Sequence, residues 1–182
     1  SGSDSGWGVA VDDVGAAYVT GRVAESFVPD FPTTPGAYDT TFNGSVDVFV
    51  AKLDALGTQV EWSTYLGGFG WDIPRGIDVD AKGAPVVVGL TQSTVHWPTT
   101  PGAFDTSFNG DSDAYVTKLD PTGSFLEFSS YLGGGDTDEA LGMVLDAFGR
   151  INVVGKTRSV FFPTTSDGLA LSLHGAGNDG FL

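Results

Sequence analysis

The chain has 182 residues and a formal charge of −15, because 23 Asp and Glu outnumber 8 Lys and Arg. This charge argues against binding to nucleic acid or to an anionic membrane through broad electrostatic attraction. Cysteine is absent, which excludes disulfides, thiolate zinc ligands and a thiol nucleophile. No apolar run approaches the ~20 residues that span a bilayer. We therefore expect a folded acidic protein that neither binds nucleic acid nor inserts into a membrane.

The N-terminal third of the chain contains four strand-like runs rich in valine, threonine and aromatic residues. They are Trp7–Asp12, Ala16–Gly21, Asp47–Asp54 and Thr58–Tyr65. An Asp-x-x-Gly sequence joins the first run to the second and the third to the fourth, and it is typical of a type I turn whose glycine takes a positive φ. A long loop containing FPTTPGA separates the two hairpins. The pattern predicts a four-stranded antiparallel unit.

This unit is repeated. Residues 32–72 and 98–138 align without a gap at an offset of 66, and 24 of the 41 positions are identical. A third copy begins near residue 138, which gives repeat units at 1–71, 72–137 and 138–182, the last incomplete. The segment EALGMVL (139–145) looks helical in isolation, but the repeat register predicts a first strand there.

The predicted strands are apolar on both faces, as in APVVVG (84–89). A sheet with one solvated face would alternate, whereas a sheet between two other sheets need not. Four-stranded antiparallel sheets that stack face to face form a β-propeller. The sequence therefore predicts an all-β fold, a partial propeller of four-stranded blades of about 66 residues each.

The repeated motifs resemble the bacterial SBBP ("seven-bladed beta-propeller") repeat family. The matching residues are Phe31–Ala37, Asp47–Asp54 and Tyr65–Gly68 in the first copy, and Trp97–Ala103, Asp113–Asp120 and Tyr131–Gly134 in the second. The resemblance implies a propeller fold and a secreted or cell-surface location in bacteria. It implies no particular activity, because the functions of such proteins are mostly undefined.

The chain holds about two and three-quarter units, whereas closed propellers have typically 4–8 blades. An open stack would leave an apolar sheet face exposed at each end. We therefore expect either a segment of a longer chain or short chains that assemble with copies of themselves. The first alternative is favoured.

Two tryptophans, Trp7 and Trp71, stand at positions that the repeat does not reserve for aromatic residues. An exposed tryptophan beside carboxylates can stack on a sugar ring or anchor a protein partner. The competing and favoured interpretation is that each covers the edge of a sheet. Trp7 and Trp71 are accordingly the candidate ligand-binding residues.

Acidic residues are dense in two loops, NGDSD (109–113) and GDTDE (135–139). Calcium takes roughly six to eight oxygen ligands, and such loops can supply several of them. The candidate ligands are Asp111, Asp113, Asp136, Asp138 and Glu139, although neither loop has the EF-hand spacing. Calcium is thus the one cofactor for which the sequence offers candidate ligands. The competing interpretation is that these recurring aspartates accept hydrogen bonds from backbone amides, which is the more common role.

The sequence favours a non-enzymatic, extracellular scaffold or protein-interaction module, able to associate with itself. The two histidines, His96 and His174, have no repeat counterparts and no accompanying nucleophile motif, so neither is expected to be catalytic. Two alternatives remain. One is a glycan-binding propeller that uses the loop tryptophans and acidic residues, and the other is a hydrolase whose catalytic residues lie outside this segment.

Overall fold

The structure is a computed structural model, and it describes residues 3–24, 31–165 and 177–182. These residues form eleven strands and no helix, arranged as three antiparallel sheets. Sheet 1 contains β1 (Asp4–Val11), β2 (Ala17–Ala24), β3 (Val46–Leu53) and β4 (Val60–Leu66). Sheet 2 contains β5 (Asp72–Val79), β6 (Pro85–Thr91), β7 (Asp113–Leu119) and β8 (Leu126–Leu132), and sheet 3 contains β9 (Asp138–Leu145), β10 (Ile151–Thr157) and β11 (Asp179–Phe181).

The all-β prediction and the antiparallel four-stranded unit are confirmed. In sheets 1 and 2 each strand pairs with its neighbours in chain order. The four predicted runs of the first copy are strands whose ends differ from the prediction by one to three residues. EALGMVL lies in β9, so its local helical pattern is overridden by pairing with β10.

The Asp-x-x-Gly segments form the predicted turns. Their glycines, Gly15, Gly57, Gly83, Gly123 and Gly149, all have positive φ values between 66° and 90°. The aspartate that opens each turn accepts hydrogen bonds from the turn backbone. Asp80 Oδ1, for example, accepts from the amides of Lys82 at 2.8 Å and Ala84 at 2.9 Å. These aspartates therefore stabilise turns, as the sequence predicts.

One glycine in each second strand accommodates an irregularity in the first strand. Gly21, Gly89 and Gly155 pair beside a register shift in β1, β5 and β9. A Cβ atom at these positions would lie only 2.0 to 2.2 Å from a first-strand carbonyl oxygen. Because no side chain fits, glycine alone lets the bulged strand lie this close.

Sheet 2 lies between the other two sheets. One face of sheet 2 packs on sheet 1. Val87 and Tyr115 of sheet 2 lie in one apolar cluster with Tyr18, Val50 and Trp62 of sheet 1. Its other face packs on sheet 3 in a second apolar cluster, formed by Val86, Val88, Ala114 and Val116 with Ala140, Met143, Leu145 and Val153. The two apolar faces predicted for the strands are thus both buried in sheet 2.

Candidate functional site at the junctions between sheets

The first strand of each sheet carries one extra residue that has no partner in the second strand. This residue is Trp7 in sheet 1, Arg75 in sheet 2 and Leu141 in sheet 3. A β-bulge turns its side chain away from the normal alternation and is common next to functional sites. The three residues, called the bulge row below, therefore hold the same place in successive sheets.

Trp7 contacts the neighbouring sheet through this row. The guanidinium carbon of Arg75 lies 4.9 Å from the centre of the indole ring, and that of Arg22 lies 5.7 Å away. Both distances are in the range of cation–π attraction. Trp7 keeps 42% of its surface exposed. Its ring is thus already engaged by two cations, which favours a packing role over the predicted stacking on a sugar.

Arg75 continues the contact to sheet 3. Its Nε and Nη2 atoms lie 2.6 and 2.5 Å from Oε1 of Glu139, whose other oxygen lies 2.7 Å from Nζ of Lys156. The Glu139 side chain is only 6% exposed. A carboxylate this buried needs such partners to remain charged. Glu139, one of the candidate calcium ligands, is therefore paired with two basic side chains.

Trp71 lies just before β5 and is 51% exposed. Its backbone forms an isolated bridge with Val46, and its carbonyl oxygen accepts a hydrogen bond from the Gln92 amide at 2.9 Å. The backbone is therefore fixed while the indole faces solvent. The predicted binding role of Trp71 stays a prediction.

The five candidate calcium ligands differ in their surroundings. Asp111 is exposed, and Asp136 accepts from the Thr137 amide at 2.7 Å. Asp113 and Asp138 are fully buried and face each other. In residues 3–24, 31–165 and 177–182, no three acidic, histidine or cysteine side chains converge on a point where a metal ion could bind. The predicted calcium role of these residues stays a prediction.

A buried carboxylate pair lies at the junction of sheets 1 and 2. A Cβ atom at Gly67 would be 2.7 Å from Oδ1 of Asp47 and 2.9 Å from Oδ2 of Asp72, so both oxygens crowd the same small space. Oδ2 of Asp72 accepts from the Gly68 amide at 2.8 Å, and Oδ2 of Asp47 accepts from the Asn43 amide at 2.7 Å. Both aspartates thus brace loops that enter the junction.

The same arrangement recurs between sheets 2 and 3. A Cβ atom at Gly133 would lie 2.5 Å from Oδ1 of Asp113 and 2.9 Å from Oδ2 of Asp138. Asp138 accepts from the Gly134 amide and from the Ser159 hydroxyl, each at 2.7 Å. Two carboxylates at one point repel each other when both are charged. The junctions therefore place acidic groups where one proton or one cation would relieve the repulsion.

The electrostatics of these pairs agree with their geometry. Burial, together with the charge of the facing carboxylates of Asp72 and Asp138, raises the pKa of Asp47 and of Asp113 to about 7. Burial likewise raises the pKa of Asp72 to about 6. Oδ1 of Asp47 and of Asp113 is buried without a hydrogen-bond partner. A proton on Asp47 or on Asp113 therefore stays bound up to near neutral pH, which lowers the charge buried at each junction.

A hairpin tip from sheet 2 fits into a notch on sheet 1. The indole Nε1 of Trp62 donates to the carbonyl of Pro121 at 3.0 Å, and the Tyr38 amide donates to the carbonyl of Gly123 at 2.8 Å. The Gly123 backbone packs directly against the indole ring of Trp62, where a Cβ atom would be only 2.4 Å from Cε3 of the ring. Trp62 is 6% exposed and belongs to the core of sheet 1 and sheet 2.

The outer face of sheet 1 carries exposed valines. Val9 and Val11 are 65% and 61% exposed. The residues at the same places in sheet 2, Ile77 and Val79, pack against sheet 1. Met143 and Leu145, at the same places in sheet 3, pack against sheet 2. The face through which sheets 2 and 3 pack on the preceding sheet is thus exposed to solvent in sheet 1.

Of the two histidines, His96 packs on Phe69 with ring centres 4.4 Å apart, and it has a positive φ of 66°. His174 lies outside the described residues. In the part of the chain that the structure describes, no helix has the length and apolar character of a membrane span.

No protein-family model matches the chain, and no curated protein is significantly similar to it. The repeated sheets and the contacts at their junctions are the observations on which a function can be based.

Proposed function

We propose that the chain is a segment of a β-propeller of the SBBP type, a non-enzymatic scaffold that binds protein surfaces, including copies of itself, through the faces of its sheets. The three stacked antiparallel sheets and the family-like motifs support this proposal. The proposed location is the bacterial cell surface or exterior, in keeping with the resemblance. Repeated sheets supply a rigid body, and their loops and outer faces supply variation for binding.

The observation that carries the proposal is the open face of sheet 1. Val9 and Val11 are exposed there, while their counterparts Ile77 and Val79 pack on the preceding sheet. An apolar face that is buried at each later junction is suited to a further sheet of the same kind.

Sheet 3 offers the complementary surface. Val144 and Val154, on its side away from sheet 2, are 57% and 47% exposed. A contact between this face of one copy and the Val9 face of another would repeat the existing junctions. Such a head-to-tail contact closes into a ring or extends into a filament, according to its rotation.

Sedimentation velocity over a range of concentrations tests this proposal. We expect the wild-type chain to self-associate and the double variant Val9→Lys, Val11→Lys to shift toward the monomer, because lysine cannot be buried unpaired. The control is Val14→Lys. Val14 is 77% exposed in the β1–β2 turn and lies outside the sheet face. A wild-type chain that stays monomeric at all concentrations, or equal effects of both substitutions, would refute self-association.

A glycan-binding role is the second candidate, and the exposed indole of Trp71 favours it. Glycan-array binding that Trp71→Ala abolishes, and that Trp7→Ala leaves intact, would support this candidate. Absence of binding across the array would remove it.

A further inference from the structure

We propose that an aromatic platform at the junction of sheets 1 and 2 binds a neutral oligosaccharide by stacking on its sugar rings. The platform consists of Phe69, Trp71 and His96. The inference rests on the glycan-binding candidate above and deepens it, because it names the residues of the site and the class of glycan. It concerns loops between two sheets, a surface separate from the outer sheet faces through which self-association is proposed.

The three side chains of the platform are exposed to solvent. Phe69 and Trp71 expose 55% and 51% of their surface, and His96 is exposed as well. The ring centres of Phe69 and His96 lie 4.4 Å apart, so these two rings form one surface. Exposed aromatic rings that lie together are suited to contact with a ligand that has apolar faces.

Two loop segments, 67–71 and 92–97, hold the platform in place. The Gly70 amide donates a hydrogen bond to Oγ of Ser93 at 2.8 Å. A Cβ atom at Gly70 would lie only 2.5 Å from the carbonyl oxygen of Gln92, so the two segments pack backbone against backbone. The aromatic side chains are therefore carried by a fixed main chain, which lowers the entropy lost when a ligand binds.

The junction of sheets 2 and 3 contains the same loop without the aromatic rings. Gly135 and Thr137 stand there at the places of Phe69 and Trp71. The carbonyl of Thr137 accepts from the Arg158 amide at 2.9 Å, the same distance at which the Trp71 carbonyl accepts its backbone hydrogen bond. The loop thus forms without the two rings, and a role in binding accounts for their presence.

The backbone of His96 has an unfavourable conformation. Its φ of 66° lies in the left-handed region, and among the described residues it is the one non-glycine residue with a positive φ. Glycine would adopt this conformation without strain. Because folding alone would favour glycine here, the imidazole ring has another use, and such backbone outliers cluster at ligand sites.

The surroundings of the platform select a neutral ligand. Segments 67–71 and 92–97 contain no Asp, Glu, Lys or Arg, so they offer no partner to an ionic group. The exposed side chains of Gln92 and Thr94 supply an amide and a hydroxyl, which can hydrogen-bond to sugar hydroxyls. The formal charge of −15 repels glycans that carry carboxylates. A neutral oligosaccharide, with apolar ring faces and hydroxyl edges, matches this combination.

Hexasaccharides are the probes for this site. The neutral set is cellohexaose, maltohexaose, mannohexaose and chitohexaose, and the acidic control is hexagalacturonic acid. Isothermal titration calorimetry with the full chain should show saturable binding of at least one neutral hexasaccharide. The acidic control should bind more weakly than that neutral hexasaccharide, because the protein and the control are both negatively charged.

Tryptophan fluorescence reports contact with Trp71. Trp62 and Trp97 are buried, so Trp71 is the one exposed indole that remains in the variant Trp7→Phe. Addition of the bound hexasaccharide to this variant should shift the emission to shorter wavelength and reduce quenching by acrylamide, because a stacked sugar shields the indole from water.

A loop variant separates binding from folding. Phe69→Gly with Trp71→Thr, called the loop variant, introduces the residues that the next junction has at these places. It should keep a melting temperature close to that of the wild type and bind the hexasaccharide roughly tenfold more weakly. The control is Phe148→Ala, at a phenylalanine that is 85% exposed in the β9–β10 turn, which should leave binding unchanged.

His96→Gly gives a second readout that a purely structural role would not produce. Glycine suits the positive φ at this position, so the melting temperature should stay the same or rise. Binding should nevertheless weaken, because the imidazole ring is lost from the platform. A fall in melting temperature without a change in affinity would show that His96 serves the fold alone and would overturn its place in the site.

Weaker binding of the loop variant and of His96→Gly, with normal binding of Phe148→Ala, would support the platform. Absence of saturable binding to every neutral hexasaccharide, or tighter binding of hexagalacturonic acid, would overturn it. Binding that Trp71→Ala abolishes but that Phe69→Gly and His96→Gly leave unchanged would overturn the platform and leave the glycan-binding candidate standing.

Self-association provides the remaining outcome. A dimer that the loop variant dissociates would overturn the inference, because a second copy of the chain would then cover the rings. Sedimentation of the Val9→Lys, Val11→Lys variant tests the scaffold proposal on a different surface. Failure of the platform and failure of self-association through sheet 1 are therefore distinguishable.

Discussion

The glycine opposite the bulge in sheet 2 gives the most direct test of the fold. A Cβ atom at Gly89 would lie 2.0 Å from the carbonyl oxygen of Ile73 and 2.9 Å from the Tyr115 hydroxyl. The first neighbour is backbone in a paired strand, so it cannot rotate away. Forcing a methyl group into such a space costs about 3 kcal/mol. For a chain of this length, that corresponds to a fall in melting temperature of roughly 6–12 °C.

The matched control for Gly89→Ala is Gly76→Ala. Gly76 lies on the paired strand β5, and a Cβ there would be 3.4 Å from Cγ of Met143 and from Cγ2 of Val88. This is ordinary contact, so we expect a change in unfolding free energy within about 1 kcal/mol. Urea denaturation followed by tryptophan fluorescence measures both variants. Equal stabilities of Gly89→Ala and the wild type would refute the close approach of the bulged strand.

Two further predictions concern charge. Because the pKa of Asp47 and of Asp113 is about 7 in the folded protein and 3.8 in the unfolded chain, the folded state binds protons more tightly between these values. The unfolding free energy should therefore fall as pH rises from about 4 to 7. The double variant Asp47→Asn, Asp113→Asn should flatten this slope, measured by urea titration at each pH. An unchanged slope would contradict the raised pKa values of these two aspartates. Arg75→Met should lower the unfolding free energy by about 2 kcal/mol, since it removes a charged partner of the buried Glu139. Arg150→Met, which breaks an exposed ion pair, should change it by less than ~1 kcal/mol, and equal effects of the two would show that burial at Glu139 is unimportant.

Local features were predictable where the repeat and the turn chemistry agree. The Asp-x-x-Gly turns follow from the short reach of the aspartate side chain and the conformational freedom of glycine, and both appear in the structure. The strand at EALGMVL was predictable only from the repeat register. In the structure, pairing with β10 outweighs the weak helical preference of those residues.

Contacts between sheets were harder to predict. Trp7 was expected to stack on a sugar or cover a sheet edge, and its two guanidinium partners were not anticipated. Arg75 is distant in sequence and reaches Trp7 only because both occupy bulges of adjacent first strands. The repeat aligns Trp7, Arg75 and Leu141 in the sequence. The sequence did not show that each is the extra residue of a β-bulge, which is what brings the first two into contact.

The carboxylate pairs were missed for a similar reason. Asp47 and Asp72 recur as Asp113 and Asp138, and the sequence suggested only a calcium ligand or a backbone brace for these recurring aspartates. Their meeting depends on the return of the fourth strand to the start of the next sheet. A signal that could have revealed it is the glycine of the YLGG motif, because a Cβ atom at Gly67 would collide with the carboxylates of both Asp47 and Asp72.

The hairpin tip that inserts into sheet 1 has an evolutionary consequence. Both of its hydrogen bonds to the neighbouring sheet come from main-chain carbonyls, those of Pro121 and Gly123. These two bonds therefore set no requirement on the side chain of the intervening residue, Thr122, provided that the glycine remains. Repeat units can therefore change side chains at these tips and keep the main-chain hydrogen bonds to the neighbouring sheet. A protein that gains further repeats could acquire new surface residues while the contacts between its sheets stay the same.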